Sequence, residues 1–247
     1  MFYDVKESLF SKKEDTKFNI AINALIGLVV VVLLFEVFFS LTYSGIYVIG
    51  TSMNNTLTGA EEHFEGDAYL SGGKLVRKYV ADTDGDYVYV KKNEKPDYGD
   101  IVVVNKDSGT AIIKRVIAKG GDYVKIDAGK VYIKHSDEET FPSEPIFEEY
   151  VSPEHNDPLN ISNTFHNDET GFYVEKDSYF LLGDNRNVSL DSRANGGINF
   201  RENQIFGVVT DWSMKGKSQY TALHKFFAFD LPSVFGIDNR IKNIKEV

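Results

Sequence analysis

The 247-residue sequence contains no cysteine, six prolines, three methionines and one tryptophan. Without cysteine there are no disulfide staples, thiol nucleophiles, cysteine-ligated zinc sites or iron–sulfur clusters. The five histidines (His63, His135, His155, His166 and His224) are scattered through mostly polar stretches, with no HExxH and no helically spaced pair. That pattern indicates neither a zinc hydrolase nor a Ser–His–Asp triad, and no metal or cofactor is expected. No Gly-rich phosphate loop is present either. Basic excess is also missing: 27 Lys and Arg face 37 Asp and Glu, for a formal charge of −10. A general nucleic-acid binder needs a basic face to neutralise phosphates, so that class is disfavoured. What remains is a chain with 42% hydrophobic residues, enough for a core, and a length that fits one domain with or without an appendage.

Ile20 to Tyr43 reads IAINALIGLVVVVLLFEVFFSLTY. A bilayer core of about 30 Å needs about 20 mostly apolar helical residues. Ile20 to Phe35 is 16 residues with one strongly polar side chain, Asn23; Glu36 lies near the outer end, within reach of the interface. A cleavable leader has a shorter apolar region ending in small residues. Here the run is longer and ends in Phe38, Phe39, Leu41 and Tyr43, which predicts an uncleaved membrane anchor rather than a leader or a buried core helix. Lys6, Lys12, Lys13 and Lys17 precede it, and no Lys or Arg follows until Lys74. The positive-inside bias then places residues 1–19 in the cytoplasm, 20–43 in the cell membrane as a single pass, and the rest outside. Phe38, Phe39, Tyr43 and Tyr47 would form the outer aromatic belt.

Beyond the span the pattern changes period. Short runs rich in Val, Ile, Tyr and Phe (Tyr87–Val90, Ile101–Val104, Ile112–Ile117, Tyr123–Ile126, Val131–Ile133, Tyr179–Leu182 and Ile205–Val209) alternate with turns such as Asp84-Gly85-Asp86 and Gly120-Gly121-Asp122. This predicts a mainly β body over 44–216, and the lack of long 3.6-period segments argues against βαβ crossovers. One segment departs from it: His135 to Thr170 holds ten Asp or Glu, no Lys or Arg, and four of the six prolines. It therefore carries the whole net charge, since the remainder has 27 acids and 27 bases. It reads as an irregular, solvated surface insert (135–170). Residues 217–247 form a C-terminal tail with apolar Phe226, Phe227, Phe229, Leu231, Val234 and Phe235 before Arg240, Lys242 and Lys245.

Ser71-Gly72-Gly73-Lys74 matches Ser-x-x-Lys, but two glycines make the required helix improbable and its partner motifs are absent. Three other segments are more informative. Gly50-Thr51-Ser52-Met53-Asn54-Asn55 lies just past the span. Lys114 sits inside the apolar run Ala111-Ile112-Ile113-Lys114-Arg115-Val116-Ile117, where strand alternation separates it from Ile113 and Arg115. Gly183-Asp184-Asn185-Arg186-Asn187-Val188-Ser189-Leu190-Asp191-Ser192-Arg193 concentrates acids, amides and arginines. Singly, these read as a loop serine, a sheet-edge lysine and a polar turn. In this order after an N-terminal anchor, and with Tyr98-Gly99-Asp100-Ile101-Val102, they resemble the type I signal peptidases of bacteria, membrane-anchored Ser–Lys endopeptidases that cleave exported preproteins. The likeness covers most of residues 18–213.

The resemblance implies the family's β-rich catalytic domain of antiparallel sheets. It implies Ser52 as nucleophile with its backbone N–H as an oxyanion donor, and Lys114 as general base. Ser189 would orient the lysine amine by a hydrogen bond, Asp191 and Arg193 would form a supporting ion pair, and Asp184 with Arg115 would brace the same region. It implies signal peptides of secreted preproteins as partners, together with the lipid bilayer and the protein translocation machinery. Gly50 stands where many members carry an oxyanion-hole serine, as in single-membrane bacteria, so the second donor is unassigned. Asn55 and Gly120 replace frequent prolines, and Asn55 is expected to leave the nucleophile loop less rigid. A non-catalytic assembly factor for surface polymers lacks the Ser and Lys. A self-cleaving Ser–Lys regulator would need a DNA-binding domain and no span.

Overall fold

A computed structural model of the chain describes residues 3–71, 74–81, 85–107, 109–137, 139–217, 219 and 244–246. Two compact units divide it, Met1–Ser44 and Gly45–Val247.

In the first unit, helix α1 runs Tyr3–Thr42. Within it Thr16–Thr42 is long and apolar enough to cross a membrane, and none of the span is buried, so it is no core helix. At about 1.5 Å per residue its 27 residues exceed a hydrocarbon core of about 30 Å. Val29 to Val32 are weak helix formers in water. In hydrocarbon, however, every N–H and C=O must bond within the segment, and a helix achieves this.

The second unit is a set of sheets. Strands β1 (Tyr43–Tyr47), β4 (Tyr87–Lys92), β5 (Ile101–Asn105), β6 (Ala111–Lys119), β10 (Ser178–Leu182), β11 (Phe200–Arg201) and β12 (Ile205–Val209) form a seven-stranded sheet in the order β1-β4-β12-β5-β6-β10-β11. Strands β2 (Glu62–Ser71) and β3 (Lys74–Ala81) join β13 (Ile244–Glu246) in a second sheet, and β7 (Tyr123–Asp127), β8 (Lys130–Lys134) and β9 (Phe172–Tyr173) make a third. Every run expected to be a strand is one. The pairs β4–β12, β12–β5, β5–β6, β6–β10 and β10–β11 are all antiparallel. A five-residue helix, α2 (Asp211–Lys215), follows β12.

β5 explains how the site is supported. Its residues Ile101–Val104 are buried on both faces. Ile101 and Val103 pack with Val48, Met53, Leu57, Val88, Val90 and Val209, while Val102 and Val104 pack with Val116, Tyr179, Leu181 and Phe200. A third cluster, built on Ile117, Val124, Ile126, Phe180 and Leu182, also includes Phe165. Phe165 belongs to the acidic insert, and it forms a two-bond antiparallel bridge with Ile126. The insert is irregular, with two 3-10 turns at Pro153–His155 and Ile161–Asn163, but it is not merely solvated. Phe141, Asn163 and Phe165 are buried. Its ten acids concealed the few residues that enter the core.

Ser71 faces Lys74 at the end of the β2–β3 hairpin, in strand rather than helix register. His224 and the tail's apolar residues, Phe226 to Phe235, lie outside the described residues. Tyr47, placed with the aromatic belt by sequence, uses its hydroxyl to accept the Gly85 N–H at 2.7 Å.

Candidate active site

The loop after Val48 is pinned at both ends. Val48 donates to the Asp86 carbonyl and accepts from Ala60, and Gly50 donates to Ala60. Gly50 has φ +81, which glycine adopts freely and a serine would not. Ser52 then opens a single turn: Thr56 and Leu57 N–H both donate to the Met53 carbonyl at 3.1 and 2.9 Å. Met53 and Leu57 are fully buried beneath that turn. This leaves the Ser52 side chain on the outer side of a fixed element.

Lys114 lies at the middle of β6, opposite Val102 of β5. The register carries it to Ser52, with its Nζ 2.6 Å from the Ser52 Oγ and 2.7 Å from the Ile113 carbonyl. It is 3% exposed, which places a cation in an apolar wall. Burial lowers its pKa to about 8, outweighing Asp191, which pulls it upward. At pH 7 roughly one lysine in ten is then neutral, against well under one in a thousand for an ordinary lysine.

The third component follows the wholly buried β10. Gly183 donates to Asp191 at 3.1 Å, and the Asn185 N–H donates to the Ser52 carbonyl at 3.0 Å. A Cβ at Gly183 would sit 2.2 Å from Ser189 Oγ and 2.5 Å from the Ser52 carbonyl oxygen, so only glycine lets these strands of chain approach. Two buried bidentate pairs surround the site. Arg193 bonds Asp191 at 2.8 and 2.9 Å, and Arg115 bonds Asp184 at 2.9 and 2.6 Å. Arg115 also reaches the Gly99 carbonyl and Thr56, and Thr56 donates to Asp184.

All seven residues singled out by sequence (Ser52, Lys114, Arg115, Asp184, Ser189, Asp191 and Arg193) are thus gathered around one turn. One expected bond is not formed: Ser189 Oγ is buried without a hydrogen-bond partner, while Lys114 bonds Ser52 and Ile113. Sequence reasoning missed a fourth component, which comes from the insert. Glu148 forms a buried ion pair with Arg186, whose Nε donates to the Gly183 carbonyl at 3.1 Å. Tyr150 donates to Glu148 at 2.8 Å, and its ring lies 3.9 Å from the Arg115 Cζ. Burial, with the Glu148 charge, pushes the Tyr150 hydroxyl above its usual range, so it stays protonated as a donor. Asn163 accepts from Arg193. The expectation that Asn55 loosens the loop is also corrected. Its φ of +90 is closed to proline, and its side chain is tied to the insert on both polar atoms.

No group of three or more metal-ligating side chains occurs among the described residues. A family model described as signal peptidase, peptidase S26, matches residues 20–219. The chain belongs to that family. Signal peptidase I P of Bacillus subtilis subsp. natto is 31% identical over 205 residues, covering 81% of this chain and 92% of that protein. Signal peptidase I of Bacillus amyloliquefaciens is 30% identical over 59% of this chain and 72% of the relative. Signal peptidase I of Streptococcus pneumoniae serotype 4 is 32% identical over 50% of this chain and 71% of the relative. Membership in the signal peptidase family makes the chain a peptidase, and the apolar N-terminal helix agrees with membrane anchoring.

Proposed function

We propose that this peptidase removes signal peptides from exported preproteins, with Ser52 as nucleophile and Lys114 as general base. The observation that carries the reading is the 2.6 Å approach of a buried lysine amine to the Ser52 hydroxyl. A serine hydroxyl needs a base to take its proton, and lysine serves only when neutral. Burial makes the neutral form accessible near pH 8. Neutral Lys114 removes the Ser52 proton as Oγ attacks the scissile carbonyl. The ammonium so formed returns that proton to the leaving amine, and the acyl-enzyme remains. The Lys114 amine, neutral again, then takes a proton from a water that attacks the ester, and the ammonium returns that proton to the Ser52 Oγ as the acyl bond breaks.

The Ser52 N–H is the proposed oxyanion donor, and losing such a donor typically costs about 10²–10³ in rate. Neutral Lys114 has two hydrogens and one lone pair. The lone pair accepts from Ser52, one hydrogen reaches the Ile113 carbonyl, and the other matches the unpartnered Ser189 Oγ, which we retain as the orienting group. Asp191–Arg193 and Asp184–Arg115 hold the frame. An extended substrate would add beside Ile49, whose parallel bridge to Ala60 uses only the flanking backbone groups and turns Ile49's own outward. Lys6, Lys12, Lys13 and Lys17 orient the chain with its N-terminus in the cytoplasm and the catalytic unit outside, where the translocation machinery delivers substrate. A surface-polymer assembly factor is disfavoured, because it would have no use for a paired serine and buried lysine.

The test is cleavage of a preprotein by the full chain in detergent, beside Ser52→Ala and Lys114→Ala. Only the parent should cleave, with activity rising through an acid limb near pH 8 as Lys114 loses its proton. Equal cleavage by all three would remove the dyad assignment.

A further inference from the structure

The insert reaches both halves of the proposed dyad through a single residue. Tyr150 accepts, on its carbonyl, the Asn55 Nδ2–H at 3.3 Å, three residues from Ser52. Its ring covers the guanidinium of Arg115, the residue after Lys114, at 3.9 Å. The remaining polar atom of Asn55, Oδ1, lies 3.0 Å from His155 Nδ1, also in the insert. Since Oδ1 can only accept, His155 must carry a proton on Nδ1, which both its neutral and charged forms can supply. The contact is a structural tie.

Both attachment points are themselves secured. The Tyr150 hydroxyl donates to Glu148, which pairs with the fully buried Arg186. The His155 carbonyl accepts the Asn187 N–H at 3.2 Å, and the Asn187 side chain donates to the Glu154 carbonyl at 3.0 Å. On the other side, Asn55 is exposed and holds φ +90, a left-handed backbone that asparagine tolerates better than most residues. The turn that begins at Ser52 is thus fixed to the core at Met53 and Leu57 and tied through Thr56 to Arg115, Asp184 and Lys217, whereas the Asn55 side chain at its outer corner bonds only to the insert among the described residues.

We propose that Asn55 and Tyr150 are positioning residues, through which the acidic insert clamps the Ser52 turn against β6. The clamp acts on Ser52 and Lys114 through their neighbours and touches neither directly. Its value rests on the Ser–Lys reading above, because a displacement of about 1 Å at a nucleophile can cost up to about 10²-fold in rate.

Asn55→Gly tests it, since glycine keeps φ +90 while deleting both side-chain ties. In the full chain in detergent, with a preprotein substrate, kcat should fall roughly tenfold with KM within about twofold. The acid limb should keep the parent midpoint, because Lys114 stays buried. Asn55→Asp, which still accepts from His155, should recover part of the loss. Tyr150→Ala should give a comparable fall, and Phe147→Ala, an exposed neighbour in the insert, should match the parent. Independently of activity, hydrogen exchange at the Thr56 and Leu57 amides should speed up in Asn55→Gly and Tyr150→Ala. Parent-like kcat with unchanged exchange in Asn55→Gly would overturn the clamp. If the parent itself fails to cleave, like Ser52→Ala, the protease reading falls, and the exchange rates alone decide the clamp.

Discussion

Lys114 and Arg115 are neighbours on one strand, both buried, and their surroundings treat them in opposite ways. Arg115 is closed by a bidentate carboxylate, a carbonyl and an aromatic face. The other buried arginines follow suit: Arg186 has Glu148 and Arg193 has Asp191. Lys114 has a hydroxyl and a carbonyl and no carboxylate in contact. The difference separates framework from chemistry. A buried cation with a partnered carboxylate remains charged and fixes geometry, whereas one denied a carboxylate gives up its proton readily. On the Ser–Lys reading the site needs both, within two adjacent residues, and strand alternation supplies the separation by sending them to opposite faces.

The largest effect should come from opening a framework pair. Asp184→Ala leaves Arg115 charged and buried without its partner, and removing one member of a buried pair costs about 3–5 kcal/mol. Denaturant unfolding should show that loss, with activity falling in parallel. The contrast is Lys125–Glu169, where Glu169 is 79% exposed. Glu169→Gln should change stability by less than about 1 kcal/mol. Equal effects at the two pairs would remove the distinction between frame and surface.

A smaller effect, of opposite sign, is expected at the lysine. The folded-state pKa of Lys114, about 8, lies below its ordinary 10.5. Below pH 8 the group is protonated in both the folded and the unfolded chain, and the folded state bears the full penalty of a buried charge. Between about 8 and 10.5 the unfolded chain binds more protons, so stability rises with pH. Lys114→Met should therefore abolish cleavage yet stabilise the fold at pH 7 by about 1–3 kcal/mol, a gain that shrinks towards pH 10.5. Arg115→Met should destabilise across that same pH range, because it orphans Asp184. If Lys114→Met were destabilising at pH 7, the lysine would belong with the framework arginines.

The two kinds of residue were not equally legible in sequence. Lys114 stood out because a lysine interrupts an apolar strand, and the Gly183–Arg193 segment because its acids, amides and arginines are crowded together. Seven strands were legible from their apolar runs, but β1, at the end of the anchor, the short β9, β11 and β13, and the β2–β3 hairpin, whose mixed polarity gives no clean period, were not. Glu148, Tyr150 and Asn163 were not legible. Each meets its partner across 30 or more residues, and Glu148 is one of ten acids in a segment whose composition signals only solvation. Composition averages over a segment, and burial of a single member is set by the chain it packs against.

Ser189 tests the comparison at its finest point, because it is a polar group that neither kind of residue yet uses. Its Oγ is buried and unpartnered, an arrangement that costs stability unless something calls on it. The charged lysine has three hydrogens and no lone pair, so it can only donate to Ser52. The neutral amine receives from Ser52 and has a hydrogen free for Ser189. A bond that favours the neutral rotamer in its reactive orientation helps catalysis without adding charge. Ser189→Ala should therefore lower kcat by roughly tenfold while stability holds or rises slightly, since a buried orphan is removed. Ser189→Asp should act the other way on the proton: a carboxylate beside the amine would raise the Lys114 pKa and move the acid limb upward by about 1–3 units. An unmoved limb in Ser189→Asp, with full activity in Ser189→Ala, would show that Ser189 is spectator packing and that Ser52 and Ile113 alone orient the lysine.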